Sequence, residues 1–339
     1  MAGEPAIAVH ELTKVFARGR VRALDGLSFE AQQGTVLGVL GPNGAGKTTA
    51  VRILSTVLRP DGGRASILGL DVVARAAQVR RSIGLAGQYA AVDENLSGRQ
   101  NLVMIGRLSH LSRRAARRRA DELLEQFDLT AAAGRSLKTY SGGMRRRLDL
   151  AAALVAEPPV LFFDEPTTGL DPKTRQDMWT WTERLVAGGT TVLLTTQYLE
   201  EADRLADTVV VVDHGRVIAQ GTPASLKADI GTTVLLVTLA NADDAARAAA
   251  VVAPLGTHPP TVQGERVEMN VADGARAGSQ AMRALDAAGL LVTGLVLREP
   301  SLDDVFLQLT GHRAETGPEP LDRPLHPVPP PEPQGVLGR

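Results

Sequence analysis

A chain of 339 residues with 44% apolar side chains has room for about two packed domains and excludes wholesale disorder. A net charge of −1 and an aromatic content of 3% give neither the concentrated positive field nor the stacking platform that nucleic acid requires. The absence of cysteine excludes disulfides, thiol catalysis and thiolate metal sites, and the six histidines stand scattered rather than at metal-ligand spacing.

The N-terminus, MAGEPAIAVHE, has neither the basic flank nor the apolar segment of a signal peptide. No apolar run approaches the roughly 20 residues that span a bilayer. A cytoplasmic protein is expected, with any membrane role exercised through a partner.

Residues 35–40, TVLGVL, form the first of several near-continuous apolar runs. Such runs suit parallel strands buried on both faces. GPNGAGKT follows at 41–48 and fits G-x-x-x-x-G-K-[ST], with a helical run, TTAVRILSTVL, behind it. In Gly41, Pro42, Asn43, Gly44, Ala45 and Gly46 the glycines let backbone N–H groups turn around phosphate oxygens, and the helix start at Thr49 adds its dipole. Lys47 can reach the β- and γ-phosphates of ATP, and the Thr48 hydroxyl can ligate Mg²⁺.

From about 89 to 150 the pattern becomes helical, an insert in the α/β core. RRAARRRADELLEQFDL sets Ala115, Leu123, Leu124 and Phe127 among charges, as in an amphipathic helix. Its arginines are interleaved with Asp121, Glu122 and Glu125, the composition of a solvated face. YSGGMRRR, 140–147, places Ser141, Gly142 and Gly143 at a helix start able to hold an anion; an ordinary serine N-cap is the alternative. Arg145–Arg147 are expected to dress that helix.

VLFFDEP, 160–166, ends an apolar strand in two adjacent carboxylates that point in different directions. Asp164 suits Mg²⁺, and Glu165 can accept a proton from attacking water. TTVLLTT (190–196) and TVVVVD (208–213) complete the buried strands. Gln197 sits between the first of these and an acidic helix, where it could also serve as a cap.

Residues 231–311 alternate strand and helix patterns in the order of a small α+β domain, closing on PSLDDVFLQL, where Ser301 and Asp304 have capping-box spacing. Residues 312–339 are too rich in proline to fold alone, so a disordered tail is expected. The first unit then spans 1–230.

Taken together, the phosphate loop, the strand-end carboxylates and YSGGMRRR resemble the ABC ATPase family. Its signature is usually written LSGGQ; here Tyr140 stands first and Met144 last. The resemblance implies a P-loop α/β core with a helical subdomain. It also implies that Gln88 is the Q-loop glutamine reaching Mg²⁺ and water, that Asp171 in GLDPKTR is the D-loop aspartate facing an opposite subunit, and that Phe16 in LTKVF stacks on adenine. Gln197 takes the switch position, usually histidine, that contacts the γ-phosphate and holds Glu165 and water in line. A glutamine still donates N–H bonds but carries no positive charge, so slow but real hydrolysis is expected.

TTQYLEEADRLAD and SLDDVFLQLTGHRAE are similar to the ATP-binding subunits of daunorubicin/doxorubicin-type drug exporters. The ABC resemblance implies a head-to-tail dimer, a homodimer or a pair with a close relative, in which one subunit's Ser141–Gly143 closes over its partner's ATP. The exporter likeness adds to it a separately encoded membrane permease and a peripheral place on the cytoplasmic side of the membrane. Two alternatives stay open at this point: an ABC-type translation or repair factor, and a non-hydrolysing regulatory subunit.

Overall fold

A computed structural model describes residues 4–16, 20–87, 92–229, 233–298 and 301–310. Gln88, the start of the expected helical insert and the proline-rich tail lie outside the described residues. Strands and helices are numbered in chain order.

Six strands build the central sheet: β3 (Val36–Leu40), β6 (Ile83–Ala86), β7 (Val160–Asp164), β8 (Thr191–Thr196), β9 (Thr208–Asp213) and β10 (Arg216–Gly221). Their order is β10-β9-β3-β8-β7-β6, parallel except for the β9–β10 hairpin. Every residue of β3, β7 and β8 is buried, as continuous apolar runs covered on both faces demand. A second sheet, ordered β2-β1-β4-β5, packs beside it from β1 (Ile7–Phe16), β2 (Val21–Ala31), β4 (Gly62–Ile67) and β5 (Leu70–Asp71). Between them Ile7, Leu27, Val39 and Ile53 share one core with helix α1 (Lys47–Leu54).

Register decides where the chemistry can sit. Leu40 pairs with Thr196, and Asp164 pairs with Thr195. The carboxyl ends of β3, β7 and β8 therefore finish at one level, the crevice where open α/β sheets bind ligands.

The short helix α2 (Ala76–Ser82) precedes β6, and the insert follows as α3 (Gly98–Leu108), α4 (Arg113–Gln126) and α5 (Gly142–Ala153). A reciprocal capping box between Ser97 and Gln100 starts α3. On α4 the buried stripe is Ala116, Ala120, Leu123 and Leu124, ending at Phe127. Ala116 rather than Ala115 occupies that stripe, because the 3.6-residue period back from Leu123 and Ala120 lands there. Phe127 meets Trp181 of α6 (Pro172–Ala187) with ring centroids 4.6 Å apart, which fastens the insert to the sheet's covering layer.

The C-terminal sheet is antiparallel, β12-β13-β11-β14, from β11 (Thr233–Leu239), β12 (Thr261–Gln263), β13 (Arg266–Val271) and β14 (Val292–Arg298). Leu235, Val237, Val267 and Met269 pack under α9 (Ala245–Val252) and α10 (Gly274–Ala287). The last helix, α11 (Leu302–Thr310), leaves that sheet. Leu302, Val305 and Phe306 join the core of the first unit beside Leu199 and Leu205 of α7 (Leu199–Leu205) and Leu226 of α8 (Pro223–Asp229). Arg298 pins its start, donating to Asp304 at 2.6 and 2.8 Å and to Glu268. Ser301 and Asp304 exchange the capping bonds that their spacing predicts.

No helix among the described residues is long and apolar enough to cross a membrane.

Candidate functional site

The phosphate loop leaves β3 and turns into α1 at Gly46, whose φ is +110°. A side chain there would also meet the carbonyl of Ala23 at 2.5 Å, so both backbone and space require glycine. Lys47 is 5% exposed, and its Nζ donates to the carbonyls of Gly41 (2.7 Å) and Pro42 (3.1 Å), which folds it along the loop. Asn43, Gly44, Gly46, Lys47, Thr48, Thr49 and Glu165 line one cavity of about 180 Å³.

Thr48 Oγ1 lies 3.3 Å from Asp164 Oδ1, which also accepts from Thr195 Oγ1 at 2.6 Å. One hydroxyl and one buried carboxylate form a sparse donor set. It fits a hard cation such as Mg²⁺, which keeps waters and phosphate oxygens as its remaining ligands. The chemistry such an ion supplies is charge neutralisation across phosphate oxygens.

Glu165 begins just past β7 with φ at +52°, an uncommon conformation for a residue with a side chain. Its N–H is bound by the carbonyl of Thr195 at 3.0 Å and by Thr195 Oγ1 at 3.2 Å. The left-handed turn separates the two carboxylates, sending Asp164 towards Thr48 and leaving Glu165 on the cavity wall.

Gln197 follows β8 at the level where the phosphate loop begins, because Thr196 pairs with Leu40. The helix-capping alternative does not hold: Tyr198 is the N-cap of α7, with no side-chain cap bond. Beneath it Glu201 is 1% exposed, accepting from Thr167 Oγ1 and Trp179 Nε1 at 3.1 Å each. Burial pushes the Glu201 carboxyl up, opposed by its hydrogen bonds from Thr196, Trp179 and Thr167. The acidic composition of the helix after Gln197 does not by itself mark Glu201 as buried. Its position one turn before Leu205, on the buried stripe, was the available signal.

Ser141 caps α5, accepting from the Met144 amide at 3.2 Å, and Gly142 borders open space. Gly143 packs on Thr174, whose hydroxyl donates to Asp171 Oδ2 at 2.6 Å. Asp171 is thus the exposed N-cap of α6, its carboxyl held low by the Thr174 hydrogen bonds. Signature and D-loop positions are neighbours through Thr174, yet none of Ser141, Gly142, Gly143 or Asp171 lines the phosphate-loop cavity. Phe16, 38% exposed at the end of β1 with Lys14 Nζ 5.7 Å from its ring, also lies off that cavity.

Tyr140, the departure at the first signature position, is buried and donates to the carbonyl of Ala132 at 2.8 Å. Burial raises its hydroxyl's pKa. Gly98 makes room for it, since a side chain there would stand 2.3 Å from the Tyr140 oxygen.

Arg146 departs from its expected place on the outside of α5. Rather than dressing α5, it turns inward and holds three backbone carbonyls, those of Gly87, Glu165 and Pro166. Burial lowers its pKa, while the charges of Asp149, Glu201 and Asp164 act in the opposite direction. Arg147, next to it, pairs with Asp177 at 2.8 Å.

Residues 24–168 match the family model described as ABC transporter, and residues 221–310 match that of the ATP-binding protein DrrA1-3-like, C-terminal domain. The daunorubicin resistance ATP-binding protein DrrA2 of Streptomyces coeruleorubidus is 57% identical over 299 residues, 88% of this chain and 93% of that protein. The chain belongs to the ABC transporter ATP-binding proteins, in their DrrA-like branch.

The doxorubicin resistance ATP-binding protein DrrA of Mycobacterium tuberculosis is 49% identical, covering 92% of this chain and 95% of its own. Among solved structures, CbiO1 of Clostridium perfringens, part of the ABC transporter complex CbiONQ, aligns with a TM-score of 0.61 at 28% identity. That alignment covers 67% of this chain and 92% of CbiO1. The MJ0796 cassette, solved as a dimer after hydrolysis with ADP and Pi, shares the fold at a TM-score of 0.59 and 24% identity over 64% of this chain and 98% of its own. The P-loop core, its helical insert and the appended α+β unit are those of an ABC transporter ATPase. Membership makes the chain an ATP-binding and ATP-hydrolysing subunit.

Proposed function

We propose that this chain is the motor of a drug exporter: a homodimer that closes around two MgATP and drives a separately encoded membrane permease. The observation that carries the dimer is the separation just described, in which the Ser141–Gly143 helix start, exposed at Ser141 and Gly142, lies off the cavity of its own phosphate loop. A second copy arranged about a two-fold axis brings each signature to the other's site. The daunorubicin and doxorubicin resistance proteins to which it is similar favour an antibiotic-like cargo over a translation or repair role.

In this reading 1–230 is the ATPase unit and 231–311 an appended domain that steadies or regulates it. The seat of α11 against α7, which begins two residues after Gln197, supports that influence. Lys47 and the loop amides hold the β- and γ-phosphates, Phe16 stacks on adenine, and Thr48, Asp164 and Gln88 hold Mg²⁺. Glu165 takes the proton of the attacking water, while Gln197 orients water and γ-phosphate through its amide. Asp171 answers the opposite subunit. The ATPase sits on the cytoplasmic side of the membrane, held there by the permease. Nucleic acid plays no part; Arg118 and Arg119 are engaged with Glu122 and Glu157 in support of a solvated face.

The test is anthracycline efflux from cells that co-express the chain and the permease recovered with it by pull-down from solubilised membranes. Lower intracellular daunorubicin, restored by Glu165→Gln, is expected. Equal retention with and without the chain, or a pull-down without a polytopic membrane protein, would contradict the proposal.

A further inference from the structure

Arg146 lies on the first turn and a half of α5, the helix that Ser141 caps. Its Nη1 donates to the Gly87 carbonyl at 2.7 Å, its Nη2 to that of Glu165 at 2.9 Å, and its Nε to that of Pro166 at 2.5 Å. A rigid fork of donors is suited to such convergence; a lysine ammonium on a flexible stem is not. Two of the three acceptors belong to Glu165 and the residue after it. The third, Gly87, follows the strand β6 and precedes Gln88 in the chain.

Glu165 needs such a clamp. Its positive φ is a conformation that persists only where the surroundings over-determine it. Thr195 fixes the peptide on its amino side through both hydroxyl and carbonyl, and Arg146 fixes the peptide on its carboxyl side. With both peptides held, the direction of the Glu165 side chain from the cavity wall is set. Asp149, three residues further along α5, supplies nearby negative charge without taking these donors: its Oδ1 has no hydrogen-bond partner.

We propose that Arg146 is a positioning residue for hydrolysis: it locks the Glu165 backbone to the signature helix, so that the carboxylate stands where it can receive the proton of the attacking water. This rests on the reading of Glu165 as the base. It also gives α5 a mechanical line to the catalytic carboxylate of its own chain, so that engagement of Ser141 is felt at Glu165.

The experiment compares Arg146→Met, Arg146→Lys, Glu165→Gln and the Arg146→Met/Glu165→Gln double variant of the full chain. MgATP turnover, binding of a fluorescent ATP analogue and thermal midpoint are measured for each. A misplaced general base costs about tenfold to a hundredfold in turnover, so kcat of Arg146→Met falls by that much while KM and analogue affinity stay within about twofold of the parent. Arg146→Lys recovers part of kcat, and the double variant is no slower than Glu165→Gln alone, the non-additivity of residues that act as one unit. Parental kcat in Arg146→Met beside an inactive Glu165→Gln overturns the Arg146 proposal alone. So does a parallel fall of turnover, analogue affinity and thermal midpoint in both Arg146 variants, which marks a structural brace. If Arg146→Met fails to fold, Arg146→Lys decides by the same split of kcat against affinity. A fully active Glu165→Gln instead overturns the assignment of the base.

Discussion

Thr195 donates its hydroxyl to Asp164 Oδ1 at 2.6 Å, while the same hydroxyl and its carbonyl receive the amide of Glu165. One residue on β8 therefore holds the Asp164 carboxylate and the Glu165 backbone. Thr195→Val keeps the shape and removes the hydroxyl. A hydrogen bond to a charged group contributes about 1.5–3 kcal/mol, so turnover falls by about tenfold or more and the Mg²⁺ concentration for half-maximal rate rises. A magnesium titration of the variant beside the parent reads both effects.

Glu165→Gln removes the proposed base and keeps the volume. Turnover drops by about a hundredfold to a thousandfold, with ATP binding retained. Equilibrium binding and single-turnover hydrolysis separate the two quantities.

Gln197→His introduces a side chain that can carry positive charge at the position proposed to meet the γ-phosphate. Turnover rises, by up to about tenfold, because transition-state charge is better met. The gain is read as kcat below pH 7 and fades as the new imidazole deprotonates.

Asp149 is half-buried, and that burial, opposed by Arg146, raises its pKa from 3.8 to about 6. The folded chain then binds this proton more tightly than the unfolded one. Its contribution to stability is full below the unfolded value and is lost as pH rises through about 6. Asp149→Asn mimics the neutral form, so it stabilises the chain by about 1–2 kcal/mol at pH 7.5 and by little near pH 4. Urea unfolding at the two pH values checks the sign.

Phe306 on α11 is 3% exposed within the core of the first unit. Phe306→Ala costs about 3 kcal/mol, and because the core is shared, the ATPase unit loses stability too. Calorimetry is expected to show its transition at lower temperature; an unchanged ATPase transition would detach α11 from that core.

The sheet and the cavity were legible because their signals are local. Buried parallel strands show as unbroken apolar runs such as VLFFD, and a phosphate loop must be contiguous to wrap backbone amides around one anion. Arg146 and Glu201 were not legible, because a charge facing inward looks like a charge facing water until its partners are known. Gly87, Glu165 and Pro166 for one lie 19 to 59 residues away, and two of the three partners of the other, Thr167 and Trp179, lie 22 to 34 residues away. The seat of α11 was hidden for the same reason: its amphipathic pattern announces an apolar face without naming the surface it covers. Tyr140 reads as drift in a motif, yet its hydroxyl is accommodated by a glycine 42 positions earlier.

The dimeric motor is tested most directly by steady-state MgATP turnover of the purified chain against its own concentration, with Glu165→Gln as the blank. The account predicts turnover per chain that rises with concentration to a plateau and vanishes in the blank. Turnover per chain that is constant across the dilution series, at concentrations where the protein sediments as a monomer, would contradict it.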